Sequence, residues 1–271
     1  MIEYELHPSY TEYSATEYRR VAGSCSIATK LAAEVPVAIV LNGISHAVMM
    51  ASPMDLHDFA LGFCLSEGVL ESPKELYDVE AVETEEGIQL VCEIAASAEW
   101  RLKERKRLLA GRTGCGICGI ESFGQLQYKF PNVATRTLNE NAIFSVVDHL
   151  RGRQTLSELT RATHAAAWVN LSGGIEYVRE DVGRHNALDK LIGALVKSGT
   201  NSQQGFIYIT SRASYEMVQK SILFGTGFLV AASAPTELAI RLALKHNLAL
   251  TGYAREQSLI AYTFPERIVT N

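Results

Sequence analysis

Cysteine is scarce and odd in number, five in 271 residues, which excludes the dense disulfide framework of a small secreted domain. An excess of positive charge is missing too. Lys+Arg is 25 against Asp+Glu 30, a net charge of -5, which argues against a general nucleic-acid or anionic-membrane binder. The chain also lacks an apolar run fit to span a bilayer. Its longest charge-free stretch, residues 35–54, is broken by Pro36, Asn42, Gly43, Ser45 and His46. The opening residues MIEYELHPSYTEY have neither the basic start nor the apolar run of a secretory leader, so a soluble, cytoplasmic protein is expected. Internal repeats and low-complexity segments are absent. What is present is a composition able to fill a core, with 47% hydrophobic and 20% charged residues.

The patterning divides the chain. The first 20 residues read as a loose arm with a short strand near residues 19–22. PVAIVLNGISHAVMM reads as two strands around Asn42-Gly43, a pair that tolerates the positive φ of a tight turn. A helix follows, with Ser52 as its cap, Pro53 in its first position, and Leu56, Phe59, Ala60, Phe63 and Cys64 on one face, ended by Gly68. Residues 77–83 and 87–94 form a second hairpin with Leu90, Cys92 and Ile94 on one face. A basic helix spans residues 98–110, a helix resumes near Glu121, and another covers residues 139–151. From residue 163 strands and helices alternate, which implies a parallel or mixed sheet covered on both faces. The organisation expected is an N-terminal α+β domain over residues 1–112, a Gly-rich linker over 113–137 and an α/β domain over 138–271.

The sharpest local feature is Cys115-Gly116-Ile117-Cys118, flanked by Gly111, Gly114 and Gly119. Two thiols at that spacing suit a redox disulfide, half a zinc site or a nucleophilic thiolate. No second CxxC and no HxxxH is present, and no His or Cys has Glu two residues on, so a structural zinc site or a zinc deaminase is disfavoured. Upstream, residues 100–107 hold five cations and one acid, with Arg112 beyond them. Nearby cations stabilise a thiolate, and they attract a phosphorylated ligand. The other three cysteines, Cys25, Cys64 and Cys92, read as buried thiols.

A second polar concentration, residues 180–190 (EDVGRHNALDK), joins a strand end to a helix start, where free N–H groups attract anions and Arg184 adds charge. His185 and Asp189 stand four apart and can face each other. Ser211, Arg212 and Ser214 follow one strand, and Ser233 follows another; ligands of open α/β sheets gather beyond such ends. Gly225-Thr226-Gly227 precedes a strand, so it is not a Rossmann loop. His164 opens an apolar strand and suits a structural role or a ligand contact.

Taken together, GRTGCGICGIE, THAAAW, EDVGRHNALDK, SRASYEMVQKS, NGISHAVMMASP and ALGFCLSEGVLESP resemble the formate dehydrogenase accessory sulfurtransferases, the FdhD/NarQ family, from about residue 34 to 268. The resemblance implies a sulfurtransferase that accepts persulfide sulfur from a cysteine desulfurase. It passes that sulfur to a molybdenum held by two pterin guanine dinucleotides, the Mo-bis(molybdopterin guanine dinucleotide) that formate dehydrogenase requires. Cys115 matches the persulfide carrier and Cys118 its companion. The cofactor-binding segment falls on Tyr253, Ala254, Arg255, Glu256, Gln257 and Ser258, to which Arg184, His185, Asn186, Ser211, Arg212 and Ser214 are added as candidate contacts. Guanine nucleotide is expected to substitute for the cofactor, and no resident metal is implied. The C-terminal domain is expected to be a three-layer, cytidine-deaminase-like α/β fold. The chain is expected to form a homodimer and to serve the formate dehydrogenase catalytic subunit. Two alternatives are a passive cofactor-binding chaperone and a CxxC thiol-redox protein.

Overall fold

The computed structural model describes residues 8–110, 130–131, 133 and 135–270. Two antiparallel strands, β1 (Tyr10–Arg19) and β2 (Gly23–Ala32), open the chain as a long hairpin paired from Tyr10↔Ala32 to Arg19↔Gly23. From Tyr10 on, the arm expected to be loose is thus paired in this hairpin, and residues 20–22 form its turn rather than a strand. Cys25 lies exposed on β2, because a two-stranded ribbon offers no interior in which to bury it.

A four-stranded sheet follows, ordered β4-β3-β6-β5, from β3 (Val35–Leu41), β4 (Ile44–Ala51), β5 (Leu76–Thr84) and β6 (Gly87–Ile94). Asn42 (φ 46°) and Gly43 (φ 79°) make the expected turn between β3 and β4. Val37, Ile39, Leu41, Ile88, Leu90, Cys92 and Ile94 point to one buried face. Helix α1 (Leu56–Ser66) covers that face with Leu56, Phe59, Ala60, Phe63 and Cys64. Burial pushes the thiol pKa of Cys64 up, and that of Cys92 to about 12, so both are unreactive packing groups. The helix begins at Leu56, after Asp55 in the left-handed region, and Ser52 does not cap it. Ser52 is held elsewhere, by the C-terminal half. Helix α2 (Ala96–Ala110) closes this half of the chain, with Ala98 and Leu102 on its core.

The second half is a six-stranded sheet ordered β13-β12-β11-β10-β8-β9. Its strands are β8 (His164–Asn170), β9 (Ile175–Asp181), β10 (Gly205–Ile209), β11 (Phe228–Ala231), β12 (Ala249–Arg255) and β13 (Ser258–Ala261). Strands β10, β11 and β12 run parallel, and the outer pairs are antiparallel. Helices α5 (Arg184–Lys197), α6 (Tyr215–Phe224) and α7 (Glu237–Lys245) pack on one face over Trp168, Ile207, Leu229 and Leu250. Helix α3 (Glu140–His149), capped by the Asn139 side chain, packs on the other over Val169, Phe206, Phe228 and Val230. The result is a three-layer α/β/α arrangement. A short helix missed by the patterning, α4 (Thr155–Thr160), has its first N–H groups, of Leu156 and Ser157, donating to the Glu180 carboxylate at 2.8 Å each. A two-stranded parallel bridge, β7 (Leu138–Asn139) with β14 (Ile268–Val269), ties the chain end to this half.

The two halves meet where α1 lies antiparallel on α5. Asp58, Gly62 and Ser66 recur every fourth residue on α1; Asp189, Gly193 and Lys197 do so on α5. The helices touch backbone to backbone. A Cβ on Gly62 would stand 1.7 Å from the Asp189 carbonyl oxygen, and one on Gly193 would stand 1.9 Å from that of Asp58. At the ends of this contact the polar side chains pair. Asp58 accepts from Arg179 at 2.6 Å and lies 3.4 Å from Lys197. Ser66 donates to Asp189 at 2.6 Å, and Lys220 from α6 donates to Ser66 at 2.8 Å, Asp189 at 2.9 Å and Glu67 at 2.7 Å.

Candidate functional site

The parallel strands deliver their carboxyl ends to one edge of the sheet. Beyond β10 lie Ser211, Arg212 and Ser214; beyond β11 lies Ser233; Tyr253 and Arg255 close β12. These exits are stitched together. Ala213 bridges Pro235, Ala213 N–H donates to Ala234 O at 3.2 Å, and Tyr253 N–H donates to Ser233 O at 3.2 Å. Gly252 allows the close approach: a Cβ there would stand 2.9 Å from Ser233 O. Because β8 is antiparallel, its start comes to the same edge, with Thr210 N–H donating to Ala165 O at 3.0 Å. His164 sits opposite Asp181, three residues before α5 begins.

Three helix N-termini therefore point at one edge. Thr236 caps α7 with its own hydroxyl, at 3.3 Å from the Ala239 nitrogen. Gly183 and Ser214, at the starts of α5 and α6, make no side-chain cap bond. Among the described residues no side chain caps the first N–H groups of α5, which can serve as anion donors, whereas at α6 the Glu216 carboxylate takes its own N–H. Arg184 and His185 stand at the start of α5. Among the described residues the buried Arg184 Nε and His185 Nε2 have no hydrogen-bond partner, and the imidazole lies 3.8 Å from a Glu216 carboxylate oxygen. Burial, and then the Arg184 charge, lower the pKa of both His164 and His185. Glu216 accepts from the Ser214 hydroxyl at 2.8 Å. Burial pushes its pKa up, but that bond, its backbone contact and the charges of His185 and Arg184 outweigh burial and leave it lowered. The edge thus brings together the Arg184 guanidinium, two imidazoles that give up their protons more readily than usual, the Glu216 carboxylate and the first N–H groups of α5, and a phosphorylated guest would find hydrogen-bond donors there.

The residues expected to bind ligand divide on inspection. Arg212 is exposed, Ser211 is buried with its hydroxyl on the Arg212 carbonyl at 3.1 Å, and Ser214 is half-buried. Tyr253, at φ 50°, and Arg255, 5.9 Å from the Tyr253 ring centre, stand exposed at the tip joining β12 to β13 with Glu256, Gln257 and Ser258. Ala254 is buried, and its carbonyl accepts from the Tyr208 hydroxyl at 3.3 Å. Asn186 turns inward and donates to Met50 O at 2.8 Å and Asp181 at 3.0 Å, so it builds the turn rather than facing the edge. Asp189 does not face His185; it is fully buried against Ser66 and Lys220. Cys115 and Cys118, and the helix expected near Glu121, lie outside the described residues.

The patterning missed a set of residues that hold the edge in place. Asp181 is buried and accepts from Ser52 N–H at 3.0 Å, Gly183 N–H at 2.7 Å and Lys190, itself buried, at 2.7 Å. Lys190 also donates to Ser52 O at 2.8 Å, and Val182 N–H donates to the Ser52 hydroxyl at 3.2 Å. The turn that presents Arg184 is thereby fastened to the first half of the chain. A cleft of about 750 Å³ lies away from this edge, between Leu65, Leu70, Ile192, Val196, Lys220 and Phe224. Among the described residues no group of three or more His, Cys, Asp or Glu gathers as a metal site, and no helix is long and apolar enough to cross a membrane.

A family model described as the FdhD/NarQ family matches residues 32–269. The sulfur carrier protein FdhD of Cupriavidus necator is 48% identical over 263 residues, 96% of this chain and 91% of that protein. Its namesake in Bordetella petrii is 45% identical over 270 residues, 98% of this chain and 97% of that one. A solved structure from Desulfotalea psychrophila, described as a formate dehydrogenase accessory protein, has a TM-score of 0.76 at 24% identity and covers 97% of this chain and 100% of its own. At that identity the likeness speaks to fold alone.

Proposed function

Since the chain belongs to the FdhD/NarQ family, we propose that it is a sulfur carrier in the maturation of formate dehydrogenase. The observation that carries this reading is the 48% identity, over nearly the whole chain, to a protein named for that role. The finer chemistry rests on the cysteine pair. The Cys115 thiolate attacks the outer sulfur of a donor persulfide. The donor's S–S bond breaks, a new S–S bond forms on Cys115, and the donor leaves as thiolate. One sulfur atom moves and its terminal proton travels with it, so no external oxidant or reductant is required.

The acceptor in this proposal is a molybdenum held by two pterin guanine dinucleotides, handled as cargo. Its phosphates would suit the donors at the carboxyl edge: the N–H groups at the start of α5, Arg184 and Arg212. The tip from Tyr253 to Ser258 would flank the guanine end. The donor is a cysteine desulfurase, the recipient enzyme is the formate dehydrogenase catalytic subunit, and the working form is a cytoplasmic homodimer.

The test is adduct mapping. The full chain is incubated with a cysteine desulfurase and cysteine, then analysed by mass spectrometry. One added sulfur on Cys115 supports the proposal, and its absence refutes the persulfide step. A passive carrier is the competing reading, since the edge would bind guanine nucleotide without either cysteine. Under that reading Cys115→Ala still supports formate dehydrogenase maturation; under ours it does not.

A further inference from the structure

Two apolar surfaces of this chain face solvent, one on each side of the short link between β2 and β3. The first is one face of the opening hairpin. Residues directly opposite each other in an antiparallel pair share a face, so the register from Thr11↔Leu31 to Glu17↔Cys25 gathers Leu31, Tyr13, Ala15 and Ile27 on one side. Tyr13, Ile27 and Leu31 are 59%, 36% and 44% exposed. The reverse side is polar and pairs within itself. Glu12 stands opposite Lys30, the Lys30 ammonium lies over the Tyr10 ring, and the Ser14 and Ser26 hydroxyls meet at 3.2 Å. A two-stranded ribbon alone is marginal in water, so a hairpin of ten-residue strands with one apolar face needs a cover.

The second surface is the side of the four-stranded sheet turned away from α1. A sheet with one face in water alternates apolar and polar residues along its strands. Strand β3 breaks that rule: VPVAIVL holds no polar side chain, the pattern of a strand buried on both faces. Val37, Ile39 and Leu41 lie under α1. Ala38 and Val40 point the other way, beside Val48 and Met50 of β4 and Val91 of β6. Val48 and Met50 are 60% and 48% exposed.

Area chooses the occupant. Each arm is a ribbon about 33 Å long and about 10 Å wide, so laying one on a surface buries about 600–700 Å² counted over both sides. A lone contact of that size belongs with crystal packing, whereas two of them related by a two-fold axis bury about 1,300 Å² and reach the range of specific interfaces. Reciprocal contact also covers both apolar surfaces of each chain at once, which a foreign partner seated on either one would not do. Resting on the homodimer reading above, we infer that two copies of the chain exchange arms. The Tyr13 and Ile27 side of each hairpin packs on the outer face of the other copy's four-stranded sheet, over Ala38, Val40 and Val48.

The full chain is prepared as wild type, Ile27→Glu, Val48→Glu and, as a control, Leu238→Glu at an exposed position of α7. Light scattering reads mass against concentration, and circular dichroism checks the fold. Wild type is expected to be a dimer. Ile27→Glu and Val48→Glu should each raise the dissociation constant at least about a hundredfold, because each puts an unpaired charge into both contacts, and Leu238→Glu should leave it unchanged. Contact is read separately. Benzoylphenylalanine in place of Tyr13 is photolysed in dimers assembled from isotopically heavy and normal chains. The expected products join the arm of one chain to β3, β4 or β6 of the other. Products within one chain or between two arms would overturn the exchange, and so would a wild-type dissociation constant in either glutamate variant. Those results leave the homodimer standing and remove only the arms from its interface. A wild type that stays monomeric at every concentration would bring down the homodimer reading and this inference together.

Discussion

The stretch from Glu180 to Lys190 serves two regions built on opposite principles. At the seam between the two halves, Asp181, Asp189 and Lys190 are buried and each finds a partner. At the carboxyl edge, Arg184 and His185 keep buried nitrogens that find none among the described residues. Polar residues equally dense in sequence thus do different work, and hydrogen-bond satisfaction tells them apart. A buried charge with a matched partner holds structure. A donor left open next to an uncapped helix start is poised for an outside guest.

Breaking the seam should give the largest effect. Lys190→Met strands the Asp181 carboxylate in the interior, and a loss of about 3–5 kcal/mol is expected in chemical denaturation. A loss under about 1 kcal/mol would show that water reaches this pair and that the seam is not what the geometry implies. Next is Gly62→Ala, whose new methyl would press on the Asp189 carbonyl. Its loss should fall at the upper end of roughly 1–3 kcal/mol, and a neutral result would mean that the two helices separate freely.

Edge substitutions should reverse this balance. Arg184→Ala should leave stability within about 0.5 kcal/mol of wild type and weaken guanosine diphosphate binding about tenfold by calorimetry. A large stability loss would move Arg184 to the seam side of the comparison. The smallest effect is in pH. His164 and His185 have folded-state pKa values below the usual 6.5, so the unfolded chain takes up their protons first. Their contribution to stability therefore falls as pH drops below that value, and levels off once the folded-state groups are protonated too. A bound phosphate would favour protonation, so nucleotide affinity should rise as pH falls from about 7.5 to about 6. The variant His164→Gln/His185→Gln should flatten that slope.

Much of this was legible beforehand, because period and turn chemistry are local. Asn42-Gly43 specified its turn, and the alternation in residues 87–94 specified which side of β6 is buried. The strand exits were readable because a polar cluster after an apolar run marks the end of a strand. The seam was not. Asp58-Gly62-Ser66 and Asp189-Gly193-Lys197 do recur at helical spacing, but nothing local says that the two stripes face each other. The mistake at Ser52 has the same origin. A serine before Pro53 makes a plausible cap until Asp181 and Lys190, more than a hundred residues away, claim its backbone and hydroxyl. Cys25 misled because an apolar neighbourhood in sequence implies an interior only where there are more than two strands.

The opening hairpin has a practical consequence. It lies almost wholly ahead of the matched residues 32–269, and Tyr18 and Val21 near its bend are 82% and 96% exposed. Strands of ten residues reach about 33 Å. A fluorophore or surface tether attached at Val21 would stand clear of the rest of the molecule, and trypsin, offered Arg19 and Arg20 beside it, should nick there before it attacks either sheet.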